Sequence, residues 1–329
     1  MRNILMFIVL LLLVFVGVCG YSFLTDKTTY TSWEIKREHT DSSGLSWAAF
    51  NWAGDSIGGT YNSRLYMLVP AKMDDLPYRL SFQFDLGADK TGVYENSIHS
   101  FSERYPALNH QIQRLRSPLQ FWNKNKLFRN AGIRFGDFLA QTKNAFVYKN
   151  YGETFRVPAI QGKDVYSAGT IGADLFQNKV LVLDYPRERF AICDSVPAMY
   201  QTNLVPVTLD PSGRIILSLR LNQKIFNVLF DNGSSMFPLL VTDNRVNEFS
   251  TLPGTDTISI NSWGKRHNVI GRKMPDSFEL AGKNYAGIMV YADYRKEART
   301  NSYDAIAGNA LFWDKTLVLD FKNKRVGIY

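Results

Sequence analysis

The chain writes one block twice. Gly172-Ala173-Asp174-Leu175-Phe176-Gln177-Asn178-Lys179-Val180-Leu181-Val182-Leu183-Asp184-Tyr185 returns near the C-terminus as Gly308-Asn309-Ala310-Leu311-Phe312-Trp313-Asp314-Lys315-Thr316-Leu317-Val318-Leu319-Asp320-Phe321. The two copies run without a gap from Gly172/Gly308 to Ile192/Ile328. Their shared pattern is Gly-x-x-Leu-Phe-x-x-Lys-x-Leu-Val-Leu-Asp-aromatic. A repeat of this kind restricts the architecture to two similar units, because each copy demands the same local packing. Each is preceded by a second matching feature, Phe82-Gln83-Phe84-Asp85-Leu86-Gly87-Ala88-Asp89 in the first half and Val228-Leu229-Phe230-Asp231-Asn232-Gly233-Ser234-Ser235 in the second. In both, an apolar strand-like run ends in Asp-x-Gly and a small residue. Glycine there lets the backbone turn sharply and approach another segment closely, so the acid stands at the lip of a strand.

The rest of the chain fits two mainly β units. A length of 329 residues suffices for two domains, and 17 Tyr and 22 Phe among short runs of Val, Ile and Thr favour strands. An all-β fold is expected, with two homologous lobes over 65–198 and 199–329 related by a pseudo-twofold axis. Leu65 to Ala71 and Tyr78 to Phe84 alternate like strands, as do Ile215 to Leu221 and Ile225 to Phe230. Residues 95–130, with Pro118 inside, are expected as a helical or loop insertion in the first lobe. Ala145 to Val157 is expected as a hairpin with its tip near Gly152, and Ile258 to Lys265 as another near Trp263-Gly264. Residues 25–64, rich in tryptophan, form a lead-in packed on the first lobe. Residues 1–24 carry Arg2 and an apolar run from Ile4, the pattern of a cleaved signal peptide or a retained membrane anchor; Cys19 adds a lipoprotein alternative. All three place the remainder outside the cytoplasm.

Several function classes drop out. Cys193 is the sole cysteine beyond the N-terminal segment, and His39, His99, His110 and His267 lack metal-ligand spacing, so neither a zinc site nor an internal disulfide is expected. No phosphate-cradling glycine loop is present, so no cofactor is expected. The net charge of +8 comes from scattered Lys and Arg, which describes a solvated basic surface rather than a nucleic-acid site.

If the two units pack about their axis, Asp85 and Asp231 meet there. Two carboxylates in one site do not both ionise cheaply, so one keeps a proton while the other stays charged, a pair suited to hydrolysing a peptide bond through a shared water. At these residues the sequence resembles the aspartic peptidases. Phe84 to Asp89 is similar to the retropepsin Asp-Thr-Gly-Ala-Asp loop, and Phe230 to Ser235 to the pepsin Asp-Thr-Gly-Ser-Ser loop. Thr170-Ile171-Gly172 and Ile306-Ala307-Gly308 resemble the apolar-apolar-Gly strand beside each loop. The resemblance covers roughly 65–329 and implies a two-lobed pepsin/retropepsin-like fold, catalytic Asp85 and Asp231, and support from Gly87, Ala88, Gly233, Ser234, Gly172 and Gly308. It implies a monomer acting on a peptide or protein substrate, with flap candidates Tyr148, Tyr151 and Gly152 and, in the second lobe, Trp263 and Gly264.

Two positions depart from the family. It places Thr or Ser after each catalytic Asp, where the hydroxyl bonds across to the opposite loop; here Leu86 and Asn232 stand instead. Asn232 both donates and accepts, whereas Leu86 does neither. Two expectations therefore stand side by side: an extracytoplasmic aspartic endopeptidase, and a non-catalytic relative that binds peptide or a cell-envelope partner in the same cleft.

Overall fold

The computed structural model describes residues 30–38, 44–57, 60–73, 76–114, 125–157, 162, 164–262, 265–293 and 303–329. The segment 1–24 and the pair Trp263-Gly264 lie outside them. The first half opens with β1 (Glu34–Arg37), β2 (Ala48–Ala49), β3 (Asn51–Ile57), β4 (Thr60–Met73), β5 (Arg79–Phe84) and β6 (Gly92–Tyr94). Helices α1 (Glu95–Ser102) and α2 (Ala107–Gln111) follow, then β7 (Ile112–Arg114), β8 (Lys126–Phe135), β9 (Phe138–Tyr148), β10 (Val165–Ile171), β11 (Val180–Asp184) and β12 (Arg189–Cys193). Strand β4 shows how the sequence makes these elements. Leu65, Met67, Val69, Ala71 and Met73 are buried while Tyr66, Pro70 and Lys72 between them are exposed, the period of two of a half-buried strand. Strand β5 buries Leu80, Ser81, Phe82 and Phe84 on both faces and delivers Asp85 from the middle of the lobe.

The second half runs β13 (Val205–Pro206), β14 (Thr208–Leu209), β15 (Ile215–Leu221), β16 (Lys224–Phe230), β17 (Leu239–Thr242), α3 (Val246–Phe249), β18 (Asp256–Ser262) and β19 (Lys265–Lys273). It finishes with β20 (Phe278–Leu280), β21 (Lys283–Tyr285), β22 (Met289–Asp293), β23 (Ala305–Ala307), β24 (Thr316–Asp320) and β25 (Arg325–Ile328). Each half builds the same crossing. In the first, β10 lies parallel to β5 and antiparallel to β6, with Ile171 opposite Phe84. In the second, β23 lies parallel to β16 and antiparallel to β17, with Ala307 opposite Phe230. The chain is thus mainly β and two-lobed.

The repeated blocks meet in a third sheet, ordered β13-β25-β24-β11-β12-β2. Here β11 pairs antiparallel with β24, and Val182 sits opposite Val318, its own counterpart in the repeat. A pair made of equivalent residues marks the pseudo-twofold axis, which passes between them. Val180, Leu181, Val182, Leu183 and Val318 are fully buried, at about 1.5–3 kcal/mol of stabilisation for each. The segment before residue 65 is spread over both sheets it touches: β1 pairs with β9, β3 with β4, and β2 with β12.

The structure corrects the hairpin expected over Ala145 to Val157. Strand β9 instead pairs antiparallel with β8 and parallel with β6. Gly152, at φ +91°, turns the chain aside against α1, where the backbone finds its partners. Asn96 N–H donates to Tyr151 O at 3.0 Å, Asn96 Nδ2 to Gly152 O at 3.1 Å, and Phe155 N–H to Ser100 Oγ at 3.1 Å. Strands β7 and β8 also occupy part of the stretch expected as a helical insertion. Asn130, at φ +51°, is left out of the β8–β9 ladder without shifting its register, and it and Arg129 are exposed side by side, which breaks the alternation that marks a strand.

Candidate active site

Both aspartates are held by the same main-chain contacts. Asp85 N–H donates to Ile171 O and Asp231 N–H to Ala307 O, each at 3.0 Å, so each acid is pinned by the strand that precedes a repeated block. Ala88 N–H donates to Asp85 Oδ1 at 3.0 Å, and Gly233 N–H to Asp231 Oδ1 at 2.9 Å. The glycines interlock across the axis. A Cβ on Gly87 would stand 2.3 Å from Asp231 Cγ, and one on Gly233 would stand 2.5 Å from Asp85 Cγ. Only glycine admits such an approach, and Gly308 faces the same limit against Ser234 O at 2.0 Å. Gly172 packs likewise on Lys90, and Thr91 Oγ1 accepts its N–H at 2.9 Å.

The two carboxyls are hydrogen-bonded to each other in unequal surroundings. Burial, then the charge of Asp231 and the hydrogen bond to it, hold the Asp85 carboxyl well above the usual carboxylate range. Burial also raises Asp231, but the bond from Asp85, the N–H groups of Gly233 and Ser234, and the positive charge of Arg214 draw it back down. Burial and mutual repulsion therefore favour a pair that holds one proton and one negative charge between its two carboxyls.

Arg214, on the turn into β15, crosses between lobes. Its Nε and Nη2 hold Asp210 Oδ2 at 2.8 and 2.6 Å, and its Nη1 donates to Gly87 O at 3.0 Å. Asn232 is fully buried, and its Oδ1 accepts Leu86 N–H at 2.5 Å, so one half of the cross-loop support exists with an amide in place of a hydroxyl. Asn232 Nδ2 turns to Met67 Sδ at 3.5 Å. Leu86 sends its side chain into the main core instead, which leaves no side-chain bond in the reverse direction. A second chain of bonds steadies the Asn232 side. Tyr185 O–H and Asn309 Oδ1 lie 2.5 Å apart, and Asn309 Nδ2 donates to Asn232 O at 2.7 Å.

The dyad floors a cleft of about 250 Å³ that also takes in Gly87, Gly233, Ser234, Tyr151 and Arg214. Ala88 packs behind, its carbonyl accepting Ala173 N–H at 2.9 Å. Of the flap candidates, Tyr151 lines the cleft. Tyr148 is turned inward, its hydroxyl donating to Lys90 O, and Gly152 lies against Tyr94. Trp263 and Gly264 lie outside the described residues. The bonds from Arg214 to Gly87 O and from Tyr185 to Asn309 carried no signal in the sequence, since each reaches into the opposite half and one ends on a main-chain carbonyl. Asn309 did carry one: the same place in the first copy holds Ala173, and a polar residue at one of two equivalent buried sites marks a local demand.

No family model matches the chain, and no curated protein is similar to it in sequence. Among solved structures, the crystal structure of Basic 7S globulin from soybean is similar at a TM-score of 0.45 and 11% identity, over 86% of this chain and 96% of that one. So distant a likeness assigns the chain no activity.

Proposed function

We propose that the chain is an aspartic-type endopeptidase that cuts extended peptides in the cleft between its lobes, outside the cytoplasm. The observation that carries this activity is the pair of carboxyls, one from each half, each seated against the glycine of the opposite loop and bonded to the other. A water held between them gives a proton to the Asp231 carboxylate while its oxygen attacks the peptide carbonyl carbon. Asp85 donates its proton to the carbonyl oxygen, and the tetrahedral intermediate keeps both hydroxyls. Asp231 then protonates the departing nitrogen, Asp85 recovers a proton from one hydroxyl, and the C–N bond breaks. Acids fixed on rigid strand ends suit this work, since the geometry is set before substrate arrives. The basic surface and N-terminal apolar segment fit an extracytoplasmic protein held at or released from a membrane.

A second function is favoured by one observation. The Leu86 side chain, 2% exposed in the core, offers no hydrogen bond toward the opposite loop, which suits a relative that binds peptide or a cell-envelope partner without cleaving it. Incubating the full chain with a mixed peptide library from acidic to neutral pH separates the two. Cleavage abolished by both Asp85→Asn and Asp231→Asn is expected; cleavage absent in the wild type, or unchanged in the variants, refutes the endopeptidase.

A further inference from the structure

The two halves share the crossing that carries each aspartate, but the hairpin that leads into it differs. Strand β3 pairs with β4 as β14 pairs with β15, yet β14 has two residues and β3 has seven. Its partner β4 has 14 residues against seven in β15. The first half has therefore extended one hairpin, and the extension runs to the cleft: Ile57, Leu65 and Tyr66 all line it. On the opposite side β18 packs against β3, and Ile260 of β18 lines the cleft as well.

The hairpin is also tied across the lobes. The Arg64 guanidinium lies 5.6 Å from the centre of the Trp52 ring and 4.9 Å from that of Trp313, so it is sandwiched between tryptophans of opposite halves. Trp52 in turn stacks on Tyr185 at 6.2 Å and 14°. Arg64 makes no ion pair among the described residues, so this stack is what positions its side chain. Trp313 belongs to the second copy of the repeated block, where the first has Gln177. Extension and anchor are both absent from the other half.

We infer that this hairpin is a fixed specificity wall of the cleft, which takes an apolar side chain of an extended peptide against Ile57, Tyr66 and Ile260; the inference rests on the cleft being a peptide site, as proposed above. An apolar wall discriminates by size and burial, while a polar side chain brought against it loses its water without gaining a partner. Anchoring in both lobes makes the wall rigid, so selectivity costs no ordering of a mobile loop.

The test uses peptide pairs that differ only by Leu or Ser at one position, scanned along the residues flanking the scissile bond. The readout is the ratio of kcat/KM for Leu over Ser within each variant, which is insensitive to the fraction of active protein. At one position the wild type is expected to prefer Leu by about tenfold or more. Ile57→Ser, Tyr66→Ala and Arg64→Met each bring that ratio towards one, and Tyr66→Phe keeps it. A ratio unmoved in Ile57→Ser and Tyr66→Ala overturns the inference. The second arm measures calorimetric binding of the same peptides, made with a reduced amide at the scissile position, to full-length Asp85→Asn protein. Hairpin-dependent Leu preference in binding without wild-type cleavage refutes the catalysis and upholds the wall. Cleavage whose preference ignores the hairpin upholds the catalysis and refutes the wall, and absence of both binding and cleavage refutes the wall too.

Discussion

Asn232→Ala isolates the side-chain-to-main-chain bond that spans the two aspartate loops. The change removes the acceptor of Leu86 N–H, a 2.5 Å bond between residues that are 0% and 2% exposed. No water reaches that donor, so leaving it unpaired costs about 1–3 kcal/mol. The missing amide also leaves a small void against Met67, worth about 1 kcal/mol more. A loss of about 2–4 kcal/mol is expected, read by urea titration with tryptophan fluorescence. The Leu86 loop carries Asp85, so freeing it by even a fraction of an ångström is expected to lower kcat about 100-fold. Asn232→Asp provides the internal control. It keeps an oxygen at the same place, and it matches the wild type in stability at low pH, where the new carboxyl is neutral. It becomes destabilising as pH rises and a second negative charge is forced beside the singly charged dyad. An Asn232→Ala protein within about 0.5 kcal/mol of wild type refutes the assignment of loop support to this amide.

Three other perturbations follow from the site. Leu86→Thr removes buried methyl groups from the core and is expected to cost about 1–3 kcal/mol; kcat rises in the same protein if the threonine hydroxyl reaches the opposite loop, and an unchanged kcat shows that the dyad is already held by Asn232 and Asn309. Arg214→Met removes the positive charge that lowers Asp231, so the acid limb of the kcat/KM profile moves to higher pH, whereas Arg214→Lys holds it; an unmoved limb in Arg214→Met refutes the electrostatic role. Asp174 is pushed up by burial to about 6 from 3.8, with the Thr91 hydrogen bonds opposing. The folded state therefore binds more protons than the unfolded state between those values, and stability falls as pH rises through that window, by about 3 kcal/mol in all. Asp174→Asn is expected to flatten that slope in urea titrations at successive pH values, and a slope equal to wild type rejects the assignment.

The repeat made the architecture readable because a duplicated block must find duplicated surroundings, and Val182 opposite Val318 is that requirement met at the axis. The aspartates were readable for a local reason, since each ends a strand at a glycine that has to admit the other acid. What stayed hidden depends on contacts between halves. Arg214 reaches a carbonyl of the opposite loop, and every residue offers a carbonyl, so no spacing announces the partner. The misplaced hairpin at Gly152 has a different cause. A positive-φ residue reverses a chain as readily against a helix as against a strand, and only the donors and acceptors of α1 decide which. Strand β8 does not read as a strand because Leu127 and Phe128, then Ala131, Gly132 and Ile133, are buried in runs with Arg129 and Asn130 exposed between them, so the period of two is lost.

The strand pair at the axis also governs how the molecule comes apart. Strands β11 and β24 are each interior to their sheet, and their facing edges are covered only by one another. Pulling the lobes apart would bare two unpaired edges reading Val-Leu-Val-Leu and Thr-Leu-Val-Leu, the kind of surface that templates aggregation. The lobes are accordingly bound to unfold as one cooperative unit. A half-chain made alone has two outcomes: it precipitates, or it pairs β11 with a second copy of itself around Val182, recreating as a true symmetric dimer what the full chain achieves within one molecule.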